Sequence, residues 1–100
     1  MIVFDYTWSS VGTTGGQTAV YVDAGCDADS WRWFGRPSTG TATTVTIQIA
    51  ESTGGPWGDV DSTTVSTAAP ITRFFDGPLF GYVRAYSGST GATIRLVGVS

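Results

Sequence analysis

Residues 45–66 have the sequence VTIQIAESTGGPWGDVDSTTVS, and this stretch decides the fold class. Val45, Ile47 and Ile49 alternate with polar residues, which is the period of a β-strand with one buried face. The Gly-Gly-Pro-Trp segment that follows is typical of a turn. A polar strand rich in threonine and serine is then predicted over 59–66, at the edge of a sheet. The stretch therefore predicts two strands of an antiparallel sheet.

The same pattern continues with FFDGPLFGYVRAYSGSTGATIRLVGV over 74–99. An Asp-Gly-Pro segment at 76–78 ends one short strand, because proline has no N–H to donate to a strand ladder. Strands are predicted over 79–87 and 92–99. The GSTG sequence between them predicts that the two strands pair as a hairpin.

The rest of the chain adds further strands. Short strands are predicted over 2–8, 17–23 and 71–75, and residues 30–36 form either a short strand or an ordered aromatic loop. Seven or eight short strands separated by turn residues, with no helix of ordinary length, are typical of a β-sandwich. We therefore expect an all-β protein in which residues 1–100 form a single small antiparallel β-sandwich, Ig-like or jelly-roll-like.

The composition limits the possible partners. The chain has 100 residues, a net charge of −3, five arginines and neither lysine nor histidine. The scattered arginines argue against nucleic acid, whose phosphates require a clustered basic face. Cys26 is the only cysteine, so no internal disulfide is expected. No signal peptide and no membrane-spanning stretch is predicted, and we expect a chain made in a cytoplasm that stays soluble or assembles there.

Catalytic chemistry has little support in this composition. Without histidine, Cys26 and the serine and threonine hydroxyls lack the base that most often activates a nucleophile. Glu51 is the only glutamate, and small domains of this type rarely provide the cleft of a glycosidase. We expect no enzymatic activity and no cofactor.

Several aspartates offer the hard oxygen ligands that Ca²⁺ prefers. They are Asp23, Asp27, Asp29, Asp59 and Asp61. Their spacing matches no EF-hand, and aspartates also stabilise turns. We expect no metal site, with calcium as the alternative.

The tryptophans in the middle of the chain allow three interpretations. Trp31, Trp33 and Trp57 could fill the core, could anchor a protein interface, where tryptophan and arginine are enriched, or could form a platform for sugars. Core or interface is the favoured interpretation. Alternation places Trp31 and Trp33 on one face of their segment, and Arg32 and Phe34 on the other.

Two arginines near the C-terminus have aromatic or apolar neighbours. Arg84 is flanked on its own face by Tyr82 and Tyr86, and Arg95, on the strand predicted to pair with it, is expected on the same outward face. Such guanidinium groups can stack on rings or bind the carboxylate of a partner. The apolar strand over 2–8 could also pair with a neighbouring chain by strand addition. The candidate interface residues are Phe4, Tyr6, Trp8, Trp31, Trp33, Trp57, Tyr82, Arg84, Tyr86 and Arg95.

Residues 43–97 resemble small virion proteins of tailed bacteriophages. The matching segments are TVTIQIAES (44–52), the Gly- and Trp-containing turn TGGPWGDVDS (53–62) and GPLFGYVRAYSGSTGATIRLVG (77–98). The resemblance covers about the C-terminal half. It implies a compact β-sandwich that serves as a capsid decoration or cement protein, or as an accessory domain of the head or tail.

We therefore expect a non-enzymatic structural protein located in the virion and assembled in the host cytoplasm. Its expected role is to bind the major capsid protein, or another virion protein, and to stabilise the shell as a homo-oligomer, of which a trimer is one form. The alternatives are a carbohydrate-binding module and a tail or neck accessory module. Nucleic acid and membranes are not expected partners.

Overall fold

The computed structural model describes residues 1–11, 19–23, 27–38, 40–66, 71–77, 79, 81–88 and 91–100. Eight strands lie in this part of the chain. They are β1 (Ile2–Val11), β2 (Val20–Val22), β3 (Ser30–Pro37), β4 (Thr43–Ala50), β5 (Gly58–Val65), β6 (Ile71–Asp76), β7 (Gly81–Ser87) and β8 (Ala92–Val99). Among these described residues, no helix is long and apolar enough to cross a membrane.

The strands form two four-stranded sheets with antiparallel pairing throughout. Sheet A has the order β1-β8-β3-β6, and sheet B has the order β2-β7-β4-β5. Each of the first four strands therefore pairs with one of the last four: β1 with β8, β2 with β7, β3 with β6, and β4 with β5. This nested order is that of an eight-stranded jelly roll. The predicted antiparallel β-sandwich is confirmed, and of its two predicted forms the chain adopts the jelly roll.

The strand positions follow the sequence pattern. Residues 30–36 lie in a true strand, and Val45 and Ile47 on β4 are fully buried as the alternation predicts. The polar strand predicted over 59–66 is β5, and it is an edge strand as expected. The N-terminal strand pairs with β8 of its own chain. Residues 17–18 of the predicted second strand, and Cys26, lie outside the described residues.

The predicted hairpin of 79–87 with 92–99 is wrong. β7 pairs with β2 and β4 in sheet B, whereas β8 pairs with β1 and β3 in sheet A. Val83 on β7 and Ile94 on β8 are both fully buried, and they enter the core from opposite sheets. A short connection serves equally well within a sheet and between two packed sheets, so the local pattern does not distinguish the two arrangements. As a result, Arg84 and Arg95 lie on opposite outer surfaces of the molecule.

The core is built around two tryptophans of β3. Trp31 and Trp33 are fully buried between the sheets. The Trp31 ring meets Phe4 edge to face at 5.6 Å and stacks on Phe75 at 6.3 Å, measured between ring centroids. Gly98 on the neighbouring strand makes room for this indole, because a Cβ there would lie 2.8 Å from Trp31 Cζ3. The missing side chain at Gly98 therefore leaves the space that the large Trp31 ring fills in the packed core.

Candidate functional site

Five of the predicted interface residues belong to the core or its margin. Trp8, Trp31 and Trp33 are buried, and Phe4 and Tyr6 are half-buried and pack against the core. The sugar platform that Trp31 and Trp33 were to share with Trp57 is therefore absent, because the two β3 rings point inward between the sheets. The alternation that turns them inward turns Arg32, Phe34 and Arg36 toward solvent.

The remaining candidates lie on the two outer surfaces. Trp57, Tyr82, Arg84 and Tyr86 belong to the outer surface of sheet B, and Arg95 belongs to that of sheet A. We call these surfaces face B and face A. Face B consists of Tyr21, Thr46, Gln48, Trp57, Asp59, Ser62, Tyr82, Arg84 and Tyr86. Face A consists of Asp5, Thr7, Arg32, Phe34, Arg36, Thr72, Phe74, Thr93 and Arg95.

A row of hydrogen-bonded side chains crosses face B. Arg84 Nε on β7 donates to Gln48 Oε1 on β4 at 2.8 Å. Gln48 Nε2 in turn donates to Asp59 Oδ1 on β5 at 3.0 Å. The three residues are opposite one another in the strand register. Cross-strand neighbours on one face are close enough for such contacts, so the row is a direct product of the pairing.

A β-bulge decides where the β5 aspartates lie. Ile47 is paired with Asp61, but Gln48 is paired with Asp59, so one extra residue enters β5 at this point. Asp59 consequently points outward and belongs to the row. Asp61 instead accepts a hydrogen bond from Nε1 of the core residue Trp33. These two aspartates do not share a cation site. Among the described residues, no three His, Cys, Asp or Glu side chains are grouped as metal ligands.

Trp57 covers the Arg84 end of this row. The Cζ atom of Arg84 lies 4.2 Å from the centroid of the Trp57 ring, which is a cation–π contact. Gly55 allows the loop to bring the ring back over the sheet: its φ is +85°, and a Cβ there would lie 2.9 Å from Trp57 Cδ1. One side of the half-buried indole therefore rests on Arg84.

The tyrosines extend face B on both sides of the row. Tyr82 and Tyr86 precede and follow Arg84 on the outward face of β7, as predicted. Tyr21 on β2 meets Tyr82 edge to face at 5.2 Å and is 59% exposed. The sequence interpretation missed Tyr21, although its place between two valines of β2 was the available signal.

Face A combines exposed phenylalanines with arginines. Phe74 is 65% exposed and Phe34 is 38% exposed. The Arg32 guanidinium lies over the Phe74 ring, with Cζ 5.6 Å from its centroid. Arg36 and Arg95 lie on the same face, so the fold gathers three of the five arginines that looked scattered in the sequence. Arg32 and Phe34 lie opposite the tryptophans as predicted, but neither these two nor Arg36 and Phe74 were among the predicted interface residues.

Arg95 is held in place by an ion pair. Its Nε and Nη2 atoms donate to the two carboxylate oxygens of Asp5 at 2.9 Å and 2.6 Å. These hydrogen bonds, together with the positive charge of Arg95, lower the pKa of Asp5 despite the opposing effect of its slight burial. Beside this pair is a shallow groove of about 270 Å³, lined by Thr7, Phe34, Gly35, Arg36, Ile71, Thr72, Thr93 and Arg95. Face A therefore presents rings, guanidinium groups and a shallow depression together.

No family model and no curated protein matches this chain. Among solved structures, the chain is similar to PirA, with 16% identity over 94% of this chain and 91% of that chain, and a TM-score of 0.46. It is also similar to a protein of Bacillus endospore appendages, a family of disulfide-linked pili, with 15% identity over 96% and 83% of the two chains and a TM-score of 0.49. Neither is a phage capsid protein. At these identities and TM-scores, neither similarity bears on function.

Proposed function

We propose that this chain is a non-enzymatic structural protein of a phage virion, a capsid decoration protein that attaches to the major capsid protein through face A. The observation that carries this proposal is the pairing of the exposed Phe74 ring with the Arg32 guanidinium on the outer surface of sheet A. The resemblance of residues 43–97 to phage virion proteins is the reason for proposing a phage particle as the location.

Face A has the composition of a binding surface. Aromatic residues and arginine are the side chains most enriched among those that dominate binding energy at protein interfaces. An exposed phenylalanine gains free energy when it is buried in a partner's pocket. The arginines beside it can form paired hydrogen bonds with carboxylates. The partner that fits is therefore a protein surface with both apolar pockets and acidic side chains.

The shape of the molecule suits attachment to a larger surface. Its Cα atoms extend over 38 × 30 × 18 Å, so the sandwich is a slab whose broad sides are the two sheets. A broad side of this size can supply the roughly 800 Å² per partner of an ordinary stable interface. A slab lying on its sheet can brace neighbouring subunits of a shell against each other.

The same surface would serve a tail or neck accessory subunit. The two roles differ in location and copy number: a decoration protein covers the shell as a homo-oligomer, for example as trimers, and a neck or tail subunit forms a local ring. Location in the particle therefore separates them, while the contact chemistry of face A is common to both.

The proposal is tested by reattachment to particles that lack this chain. Purified protein is mixed with such particles, and the bound fraction is measured by cosedimentation. We expect Phe74→Asp to weaken attachment by about tenfold or more, since it replaces an exposed ring that the contact would bury with a charge.

Tyr21→Asp is the matched control, because Tyr21 has a similar exposure on the opposite face. It should leave attachment unchanged. Equal loss in both variants, or no attachment of the unaltered protein, would overturn the proposal.

A further inference from the structure

We infer that face B is a second binding site, separate from face A, and that it takes a neutral oligosaccharide. In this arrangement Trp57 supplies the ring against which a sugar stacks, and the Arg84–Gln48–Asp59 row supplies hydrogen bonds. The site differs from a platform of three tryptophans, because two of those rings are in the core.

The charge of the row points to a neutral ligand. One cation, Arg84, and one anion, Asp59, are joined through the amide of Gln48. The opposite charges balance within a single row, so the row gives no net attraction for a sulfated or phosphorylated glycan. Face A differs in this respect, since three arginines share that surface.

The row is rich in directional hydrogen-bonding groups. A guanidinium has five N–H donors, and Nε of Arg84 accounts for one of them. A carboxylate has two oxygens, and the bond from Gln48 engages Oδ1 of Asp59. In the adjacent row, the hydroxyls of Thr46 and Ser62 lie 3.0 Å apart. Donors and acceptors held in fixed positions suit the hydroxyl groups of a sugar and reduce the entropy lost on binding.

The rings of face B have the polarity that a sugar needs. Trp57, Tyr21, Tyr82 and Tyr86 each combine an apolar ring with a polar N–H or O–H group. A pyranose likewise has an apolar face of C–H groups and a rim of hydroxyls. The described part of face B contains no phenylalanine, whereas face A exposes two. The chemistry therefore assigns protein contact to face A and sugar contact to face B.

The test is a binding titration of the full chain with neutral hexasaccharides, namely cellohexaose, chitohexaose and maltohexaose. Trp8, Trp31 and Trp33 are buried, so a change in tryptophan fluorescence on titration reports chiefly on Trp57. Isothermal titration calorimetry provides a readout that does not depend on tryptophan. We expect at least one of the three to bind with a Kd of about 0.1–1 mM.

Three variants locate the site. Trp57→Ala should weaken binding by about tenfold or more, and Trp57→Phe, which keeps an aromatic ring, should weaken it by about threefold or less. Phe74→Ala on face A is the control and should leave the Kd unchanged. Circular dichroism confirms that each variant is folded.

The inference would be overturned by the absence of heat and of any fluorescence change with all three sugars, or by an equal loss of affinity in Trp57→Ala and Phe74→Ala. Preferential binding of an acidic hexasaccharide would also overturn it, because the ligand would then not be neutral.

Discussion

Asp61 and Arg73 join the two sheets at one edge of the sandwich. Arg73 on β6 donates from Nη2 to Asp61 Oδ1 at 2.8 Å and from Nε to Oδ2 at 3.2 Å. The indole Nε1 of Trp33 donates to the same Oδ2 at 2.8 Å. The Asp61 side chain is 13% exposed. This carboxylate therefore accepts hydrogen bonds both from an arginine at the surface and from a tryptophan ring of the core.

The first prediction concerns this junction. Asp61→Ala should lower the free energy of unfolding by about 1–3 kcal/mol, because the buried Trp33 N–H loses its acceptor. Asp61→Asn keeps one oxygen acceptor and should cost less. Urea unfolding measures both. Asp59→Ala, an exposed aspartate of the same strand, is the control, and an equal loss there would mean that the junction has no special role.

The second prediction concerns the stability of the protein at acidic pH. The hydrogen bonds from Arg73 lower the pKa of Asp61 below its usual 3.8, and the bond from Trp33 adds to this, although burial acts in the opposite direction. The unfolded chain therefore takes up the proton at a higher pH than the folded chain does. The stability from this group is fully present above about pH 4 and is lost as the pH falls through the lowered folded-state pKa.

The stability difference between the natural chain and Asp61→Asn should accordingly be constant near neutrality and shrink below about pH 4. Denaturant unfolding over a pH series measures it. A difference that stays the same down to about pH 2 would contradict the role given to Asp61. The pKa of Asp5 is also lowered, by Arg95. Because this ion pair is exposed, its effect on stability should be small.

The third prediction concerns the core. Gly98→Ala should lower the free energy of unfolding by about 1–3 kcal/mol, because the new methyl group would overlap the Trp31 ring. Gly40→Ala is the matched control, since a Cβ at Gly40 meets nothing within 4 Å. Thermal unfolding compares the two variants. A stable Gly98→Ala protein would show that the Trp31 ring moves aside at little cost.

Much of this fold could be predicted because strands leave a local signal. Alternation located β4 by Val45, Ile47 and Ile49, and the same rule placed Trp31 and Trp33 together on one face. The polar composition of 59–66 correctly indicated an edge strand. In each case the information lies within a few residues of the strand itself.

The parts that could not be predicted depend on contacts between distant residues. Whether β7 and β8 pair with each other or belong to opposite sheets is decided by the strands on either side of them, which lie far away in sequence. The bulge that separates Asp59 from Asp61 depends on the register of β5 against β4. The clustering of Arg32, Arg36 and Arg95 on face A follows only once the sheet order is known.

Cryo-electron microscopy of the phage particle proposed to carry this chain would show where the chain lies and which of its faces makes the contact. We expect a jelly roll on the outer shell, with face A against the capsid and Phe74 and Arg32 within the contact. Absence of the chain from any particle, or a slab attached by face B with Phe74 exposed to solvent, would contradict it.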